Sequence, residues 1–344
     1  MKLLHIADMT DFHIKIDSVI YRSVREENKV DGVDSYLYSS FLPMSKIDAH
    51  LLGADINILS FLKNERPDLV IFHSLYKVNN IKIYATLKRL GIPYAIRPHG
   101  SFSRVVMKKG YIKKKLSNFF IFNKFISDAK SIIYLSKEER LASYHETKNN
   151  VYLQNMIDLP KPRGAVKTNK LVYLGKIEPH YKNIDFMLDT IQGSDLKGFV
   201  VELYGPIDEP YKCTFFKKVN DMSNVEYKGE IYGEEKEKLL SSSRGLILLS
   251  ASEGMPMVVL EALSQGMACF LSDRVNMSEY IEKNNIGIIT RLNLTEATTN
   301  LSKFVDLLIK EKETMSNLAI NTAVQSFRWD KDVILSVYND VIEA

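Results

Sequence analysis

Residues 250–266, with the sequence SASEGMPMVVLEALSQG, form the most informative stretch of this 344-residue chain. They follow an apolar run, Gly245–Leu249, of the kind that forms buried strands. Pro256 suits the first position of a helix, because it lacks an amide hydrogen and its φ is already near the helical value. The stretch therefore predicts a buried strand, a loop containing Glu253 and Gly254, and a helix that begins at Pro256.

A helix that begins just after a buried strand offers a binding site for an anion. Its first amides, from Met255 to Val258, have no partner within the helix, and the helix dipole favours negative charge there. Gly254 lets the backbone approach a ligand closely. Glu261, eight residues after Glu253, can accept two hydrogen bonds from a ribose diol, each contributing roughly 1.5–3 kcal/mol. A diphosphate site beside hydroxyl acceptors indicates a nucleotide sugar, although two such glutamates are by themselves most often solvated.

The rest of the chain alternates short apolar runs with amphipathic stretches. This alternation predicts an α/β fold with parallel sheets covered on both faces. We expect two Rossmann-like, doubly wound domains that face a cleft, because one core rarely serves so long a chain. The expected ranges are an acceptor-side domain 1–158, a linker 159–169, a nucleotide-sugar-binding domain 170–325 and a C-terminal segment 326–344. The predicted strands include Leu3–Ala7, Leu69–His73, Tyr94–Arg97, Ile132–Leu135, Val151–Leu153, Leu171–Leu174, Val200–Tyr204, Val225–Tyr227, Leu246–Leu249, Ala268–Leu271 and Ile286–Thr290.

Bulk composition excludes several classes of protein. The net charge of +4 is too mild to imply a nucleic-acid partner, and none is expected. Two distant cysteines are typical of reduced thiols in a cytoplasmic protein. No apolar run approaches the ~18 residues of a membrane span, and the N-terminus lacks the pattern of a signal peptide. The sequence has no His-Glu-x-x-His motif and no paired cysteines, so we expect neither a metal site nor a cofactor.

Residues 250–266 closely resemble the signature of the retaining glycosyltransferases of family four, which have the GT-B fold. The resemblance implies that Glu253 contacts the donor sugar and that Glu261 binds the ribose, with Gly254, Met255, Pro256 and Met257 around the diphosphate. The Pro98-His99-Gly100 element resembles one whose histidine reaches the donor sugar in that family. The end of the chain, from Ser326, also resembles the family's last segment, whose helix crosses back to the first domain.

Two lysines near the start of the second domain are candidates for holding the leaving diphosphate. Lys176 follows a predicted strand, and Lys182 precedes the next helix. The family usually has an arginine followed by a lysine–glycine pair here, so Lys176 replaces the arginine and Asn183 replaces the glycine. Lysine is a point charge without the bidentate fork of arginine. We therefore expect phosphate binding by Lys176 and Lys182, with Lys182, Glu253 and His99 as the catalytic group.

The nucleoside base and the acceptor leave weaker signals. The resemblance implies a base site at Gly229, Glu230 and Ile231. The first loop, residues 8–15, lacks the glycine pair that the family commonly has there. Phe12 and His13 in that loop could stack on a sugar, or they could pack in the core. Arg97 is a candidate for a second phosphate contact or an acceptor charge.

A basic stretch, Arg104–Lys115, is interleaved with apolar residues. It is typical of an anionic membrane surface, where each basic residue contributes about 1 kcal/mol, and equally of a solvated helix face. The expected activity is metal-independent, retaining transfer of a sugar from a nucleotide diphosphate to a glycan or lipid-linked acceptor, in the assembly of cell-surface polysaccharide. The protein would be cytoplasmic or peripheral at the inner face of the membrane. Two alternatives remain: a sugar-nucleotide epimerase on the same fold, and a non-catalytic partner subunit.

Overall fold

The computed structural model describes residues 1–9, 19–41, 50–73, 78–104, 122–145, 149–156 and 165–344. The chain divides into two compact units. The first consists of Met1–Met156 together with Trp329–Ala344, and the second of Ile157–Arg328. Among the described residues, no helix combines the length and apolarity needed to cross a membrane.

The first unit contains a seven-stranded sheet in the order β3-β2-β1-β4-β5-β6-β7. Every pairing in it is parallel. The order of the strands reverses between β1 and β4, as it does in a doubly wound α/β sheet. The strands are β1 (Lys2–Ile6), β2 (Asp34–Tyr38), β3 (Leu51–Leu52), β4 (Leu69–His73), β5 (Tyr94–Arg97), β6 (Ser131–Tyr134) and β7 (Asn150–Tyr152).

The predicted strands of the first unit are present. Two strands that were not predicted, β2 and β3, accompany them. The missed strand β2 alternates buried and half-buried residues, so it lacks the continuous apolar run on which the prediction relied. The neighbouring β3 has only two residues. The helices of this part of the chain are α1 (Val19–Glu27), α2 (Ile58–Glu65), α3 (Val78–Leu90), α4 (Asn123–Ser127) and α5 (Lys137–Ala142).

The second unit contains a six-stranded parallel sheet in the order β10-β9-β8-β11-β12-β13. Its strands are β8 (Thr168–Leu174), β9 (Val200–Tyr204), β10 (Val225–Gly229), β11 (Ser243–Leu248), β12 (Ala268–Ser272) and β13 (Gly287–Thr290). Its helices are α6 (Ile184–Gln192), α7 (Lys212–Asn220), α8 (Gly233–Ser242), α9 (Met257–Ser264), α10 (Ser278–Lys283), α11 (Leu294–Lys310) and α12 (Lys312–Phe327). Both units thus confirm the predicted α/β class with doubly wound sheets.

The last helix, α13 (Lys331–Glu343), belongs to the first unit. Its buried residues Ile334, Tyr338 and Val341 pack with Leu3 and Leu69 of the sheet, and Trp329 lies partly buried beside them. The C-terminal segment was predicted to begin at residue 326. It begins later, because α12 continues to Phe327 within the core of the second unit.

The linker predicted at 159–169 overlaps residues 157–164, which lie outside the described residues. Its last two positions, Thr168 and Asn169, belong to strand β8 instead. The polar composition of this stretch suggested a loop, but a strand can begin with exposed polar residues before it enters the core, as β8 does.

Candidate active site

The paired side chains of Lys182 and Glu253 form the centre of the candidate site in the second unit. The ammonium of Lys182 donates a hydrogen bond to Oε1 of Glu253, and the hydroxyl of Ser250 donates to the same oxygen at 3.0 Å. The two charged side chains are 26% and 15% exposed, so they are sheltered but open to a ligand. Lys182 lies beyond β8 and Glu253 beyond β11, which are neighbouring parallel strands. Both therefore lie at the carboxyl edge of the sheet, where ligands bind in open α/β folds.

Backbone contacts hold the two loops together. The amide of Ala251 donates to the carbonyl of Tyr181 at 2.8 Å, and Asn183 Nδ2 donates to the carbonyl of Leu249 at 3.2 Å. The backbone of Glu253 is fixed from the other side, since its amide donates to Arg274 O at 3.2 Å. The pair of charges is thus positioned by main-chain hydrogen bonds that do not depend on a ligand.

Asn183 adopts the left-handed conformation at the start of α6, with φ 55° and ψ 41°. Glycine enters this region without strain, and asparagine is the side chain that tolerates it best. The replacement of the family's glycine by Asn183 therefore preserves the turn that follows Lys182. The side-chain amide also gains a carbonyl partner on the neighbouring loop.

Helix α9 begins one residue later than the sequence suggested. Pro256 is extended, with φ −70° and ψ 124°, and occupies the N-cap position, so Met257 is the first helical residue. The carbonyl of Pro256 accepts from the amide of Val259 at 3.0 Å. Residues 254–257 are all partly exposed. The start of the helix therefore remains accessible beside Glu253, as an anion site at a helix N-terminus requires.

Glu261 lies on the second turn of α9 and pairs with Lys236 of α8, with 2.8 Å between nitrogen and oxygen. The two side chains are 15% and 23% exposed. Sequence reasoning missed Lys236, because it lies among charged residues at the start of α8 with no motif around it. Only the packing of α8 beside α9 reveals it.

Lys176 does not join the Lys182–Glu253 pair. Its ammonium lies 2.6 Å from Asp208, and these two side chains are 53% and 39% exposed. The backbone before Lys176 is closely packed, since a Cβ added at Gly205 would lie 2.0 Å from the carbonyl oxygen of Gly175. The structure places Lys176 at the same edge of the sheet, but with a competing carboxylate partner that the sequence did not indicate.

The predicted base site follows strand β10. Gly229 has φ 85°, and its carbonyl accepts from the amide of Gly205 at 2.9 Å. Glu230 is exposed and accepts a hydrogen bond from the hydroxyl of Tyr232, while Ile231 packs partly buried against the core. These three residues therefore present backbone groups at the same carboxyl edge as Glu253.

In the first unit, His99 lies just beyond strand β5 and is held in a left-handed conformation, with φ 48°. Its Nε2 lies 2.8 Å from Nδ1 of His73, the last residue of β4. The amide of Gly100 donates to the carboxylate of Glu139 at 2.5 Å, which secures the turn. Burial, followed by the nearby Arg97 and His5, lowers the pKa of His99 to about 3, so this imidazole is neutral at physiological pH.

Arg97 does not present its charge to a ligand. It is 4% exposed, and its Nη2 donates to the carbonyls of Leu153 and Gln154 at 3.0 and 3.3 Å and to Asn155 Oδ1 at 3.3 Å. The expectation of an acceptor-side charge at Arg97 is corrected accordingly. The guanidinium ties the end of β5 to the segment after β7, because buried carbonyls require donors.

The remaining predicted positions lie outside the described residues. Phe12 and His13 fall within 10–18, and all of the basic stretch except Arg104 falls within 105–121. Across the part of the chain that is described, no group of three or more His, Cys, Asp or Glu side chains is arranged to hold a metal ion.

The chain is similar to known glycosyltransferases. Residues 157–324 match the family model named glycosyl transferases group 1. An uncharacterized glycosyltransferase of Methanocaldococcus jannaschii is 25% identical over 334 residues, covering 94% of this chain and 86% of the relative. The N,N'-diacetylbacillosaminyl-diphospho-undecaprenol alpha-1,3-N-acetylgalactosaminyltransferase of Campylobacter jejuni is 30% identical over 145 residues, covering 41% of this chain and 37% of that protein.

Among solved structures, an E. coli protein bound with UDP-2-fluoro glucose superposes with a TM-score of 0.75. The match covers 100% of this chain and 99% of the other at 8% identity, so it shows the fold alone. The matched residues, 157–324, include Lys182, Glu253 and Glu261. The second unit therefore contains a domain that matches the glycosyl transferases of group 1, and the fold of the chain is the GT-B fold of glycosyltransferases.

Proposed function

We propose that this protein is a retaining glycosyltransferase that moves a sugar from a nucleotide-diphosphate donor to an acceptor hydroxyl, without a metal ion. The contact between Lys182 and Glu253 carries the proposal. It combines a cation for the diphosphate with a carboxylate for sugar hydroxyls at the carboxyl edge of a parallel sheet. The start of helix α9 adds backbone amides beside the same carboxylate.

In this proposal the protein supplies the charge that stabilises the leaving diphosphate. The ammonium of Lys182 has three hydrogens, so it can hold Glu253 and still donate to a phosphate oxygen. Positive charge placed where negative charge develops lowers the barrier of group transfer. Lys176, whose pair with Asp208 is exposed and therefore weak, contributes a second cation. We name no general base among the residues of this site.

The other predicted contacts orient the donor. Glu261 accepts hydrogen bonds from the ribose diol while Lys236 holds its carboxylate in place. The backbone of Gly229, Glu230 and Ile231 contacts the base. His99, in the first unit, contacts a sugar hydroxyl through its partly exposed ring.

The names of similar proteins support a class of substrates. The Campylobacter jejuni relative is named for transfer of an N-acetylgalactosamine to a diphospho-undecaprenol-linked sugar, and the E. coli structure holds a UDP-sugar. We propose a UDP-linked hexose or N-acetylhexosamine as donor and a lipid-linked glycan as acceptor, in the assembly of cell-surface polysaccharide. A role of Arg104–Lys115 at an anionic membrane surface is part of the same proposal.

The test uses the purified full chain with a panel of UDP-sugars and a lipid-diphosphate-linked acceptor. We expect transfer with the anomeric configuration of the donor retained, as determined by proton NMR of the product, and equal rates with and without a chelator. An inverted product would refute the retaining mechanism. Loss of activity with chelator that returns with added metal would refute metal independence. Donor binding without turnover would identify a partner subunit, and an altered sugar on the nucleotide would identify an epimerase.

A further inference from the structure

A chain of hydrogen bonds between side chains crosses the first unit and ends at His99. Nε2 of His5 lies 3.0 Å from Oε2 of Glu27, and Nδ1 of His5 lies 2.8 Å from Nε2 of His73. Nδ1 of His73 in turn lies 2.8 Å from Nε2 of His99. The three histidines come from β1, from the end of β4 and from the loop after β5, which are neighbouring strands. Adjacent rings are stacked, with centroids 5.1 Å apart.

This chain leads from the interior of the unit towards its surface. His5 is fully buried, His73 is 5% exposed and Glu27 is 1% exposed, whereas His99 is partly exposed. A buried imidazole requires a hydrogen-bond partner for each of its ring nitrogens. Here every nitrogen of His5 and His73 has one, and only Nδ1 of His99 lies beyond the chain.

The buried end of the chain is a carboxylate. The hydroxyl of Ser35 donates to Oε2 of Glu27 at 2.6 Å, and the hydroxyl of Tyr338, from helix α13, donates to Oε1 at 2.9 Å. Burial by itself would raise the pKa of Glu27, but His5 and the hydroxyl donors lower it overall, so the group is ionised. An ionised carboxylate only accepts hydrogen bonds. His5 must therefore carry a hydrogen on Nε2.

The hydrogen on Nε2 of His5 leaves one pattern for the neutral chain and one for the chain with an added proton on His5. In the neutral pattern, all three rings carry their hydrogen on Nε2, and Nδ1 of His99 is an acceptor. If His5 carries two hydrogens, His73 and His99 carry theirs on Nδ1, and Nδ1 of His99 is a donor. Opposite tautomers on neighbouring neutral rings would make two lone pairs, or two N–H groups, face each other across 2.8 Å. An added proton on His73 or His99 avoids this conflict and connects the two patterns.

We propose that Glu27, His5 and His73 are positioning residues that form a proton relay to His99. A proton taken up at Nδ1 of His99 displaces the Nε2 proton of His99 to Nδ1 of His73. The Nε2 proton of His73 then moves to Nδ1 of His5. The added charge rests on His5 beside the Glu27 carboxylate, and the reverse steps return the proton without any redox change.

The relay would let His99 switch between acceptor and donor towards a sugar hydroxyl, and this part of the inference rests on the proposed function. The charge is most stable at the buried end, because the carboxylate lies 3.0 Å from His5 there. The conformation of His99 is consistent with such a role. Left-handed backbone in a non-glycine residue is strained and persists where the surroundings fix it.

The wild-type protein provides the first test. With histidine labelled by nitrogen-15, the chemical shifts of the ring nitrogens report which nitrogen of each ring carries a hydrogen. Substitution of each ring by glutamine, as in His99→Gln, assigns the signals. We expect one of the two uniform patterns across His5, His73 and His99. Opposite tautomers on two neighbouring neutral rings in the folded protein would overturn the relay.

A second test removes the carboxylate with Glu27→Leu, and Ser35→Ala is the matched control that removes only a hydroxyl donor to it. We expect the nitrogen shifts of His99 to move towards a mixture of both tautomers in Glu27→Leu and to stay in place in Ser35→Ala. Unchanged His99 signals in folded Glu27→Leu would contradict the relay. Absence of sugar transfer by a wild-type protein with a uniform pattern would instead contradict the proposed function alone.

Discussion

The two units hold their functional groups in opposite ways. In the second unit the charged pair Lys182–Glu253 remains 26% and 15% exposed. In the first unit the chain that ends at His99 begins with side chains that are at most 5% exposed. A group that meets a charged ligand must stay accessible, whereas a chain of hydrogen bonds depends on exclusion of water. Changes to the Lys182–Glu253 pair should therefore affect chiefly activity, and changes to the chain that ends at His99 should also affect stability.

Lys182→Ala should give the largest loss of activity. Removing one group that stabilises developing charge lowers kcat by about 10²–10³-fold, whereas the loss of a partly exposed ion pair changes stability by about 1 kcal/mol or less. Steady-state rates and melting temperatures provide the measurements. Lys197→Ala, which opens an exposed pair with Asp306 in the same unit, is the control. A variant that loses stability but retains its rate would show that the lysine is structural.

Glu27→Leu should give the largest loss of stability in the first unit. It leaves three buried donors, on His5, Ser35 and Tyr338, without their acceptor. Removal of one partner of a buried charged pair costs about 3–5 kcal/mol. The single tryptophan, Trp329, belongs to the first unit, so its fluorescence follows the unfolding of that unit in denaturant. Glu65→Ala, at an exposed pair with Lys2, should change the stability of the first unit little. Equal losses of stability in Glu27→Leu and Glu65→Ala would contradict the structural importance of the buried carboxylate.

Mild acid should destabilise the first unit more than the second. Burial lowers the pKa of His99 to about 3, that of His145 to about 4 and that of His73 well below the usual value. Below about pH 6.5 these histidines bind protons in the unfolded chain but not in the folded protein. Their full contribution to the free energy of unfolding is therefore present above that pH and is lost as the pH falls below it. Between pH 7.5 and 5.5 each such histidine costs about 1.4 kcal/mol.

Fluorescence of Trp329 at the two pH values measures the loss in the first unit. Residues 157–328 contain one histidine, His180, so circular dichroism at fixed denaturant should show a smaller change for the rest of the chain. Acid sensitivity that is equal in both units would contradict the assignment of buried, neutral imidazoles to the first unit.

Glu261→Ala should weaken binding of the nucleotide without lowering the melting temperature appreciably. A hydrogen bond to a charged group contributes about 1.5–3 kcal/mol, which corresponds to roughly a tenfold to hundredfold weaker Kd. Calorimetric titration with UDP measures the change. Asp306→Ala serves as the control, since its pair with Lys197 is exposed. An unchanged affinity would refute the ribose contact.

Asn183 offers the smallest of these effects. Asn183→Ala should cost about 1–2 kcal/mol, because alanine is strained in the left-handed conformation, whereas Asn183→Gly should be nearly neutral. Thermal unfolding of the two variants provides the measurement. Equal melting temperatures for both would show that the left-handed turn does not contribute to stability.

The sequence predicted the buried strands well, because strands such as β4, with all five residues buried, carry continuous apolar runs. It also identified the Glu253 loop, since an apolar run, a Gly-Met-Pro turn and a helix are local signals. The missed strand β2 is half-buried and polar at alternate positions, a pattern that many loops share. A serine followed three residues later by a glutamate, as at Ser136 and Glu139, is typical of a capping box. The amide of Glu139 donates to Ser136 Oγ at 3.2 Å, which forms one half of that box. The carboxylate of Glu139 accepts instead from Leu135 and Gly100.

The sequence by itself determined the alternation of strands and helices. It also placed Lys182 and Glu253 in loops after buried strands and Glu261 in the helix that follows, because these depend on local periodicity and short motifs. Only the tertiary structure decided the partners of each charge. Lys236 meets Glu261 across 25 positions of the chain, and Tyr338 meets Glu27 across 311. The burial of Arg97 and the joining of His5, His73 and His99 are equally non-local. Such contacts arise when parallel strands place distant residues side by side, and no local pattern in the sequence encodes them.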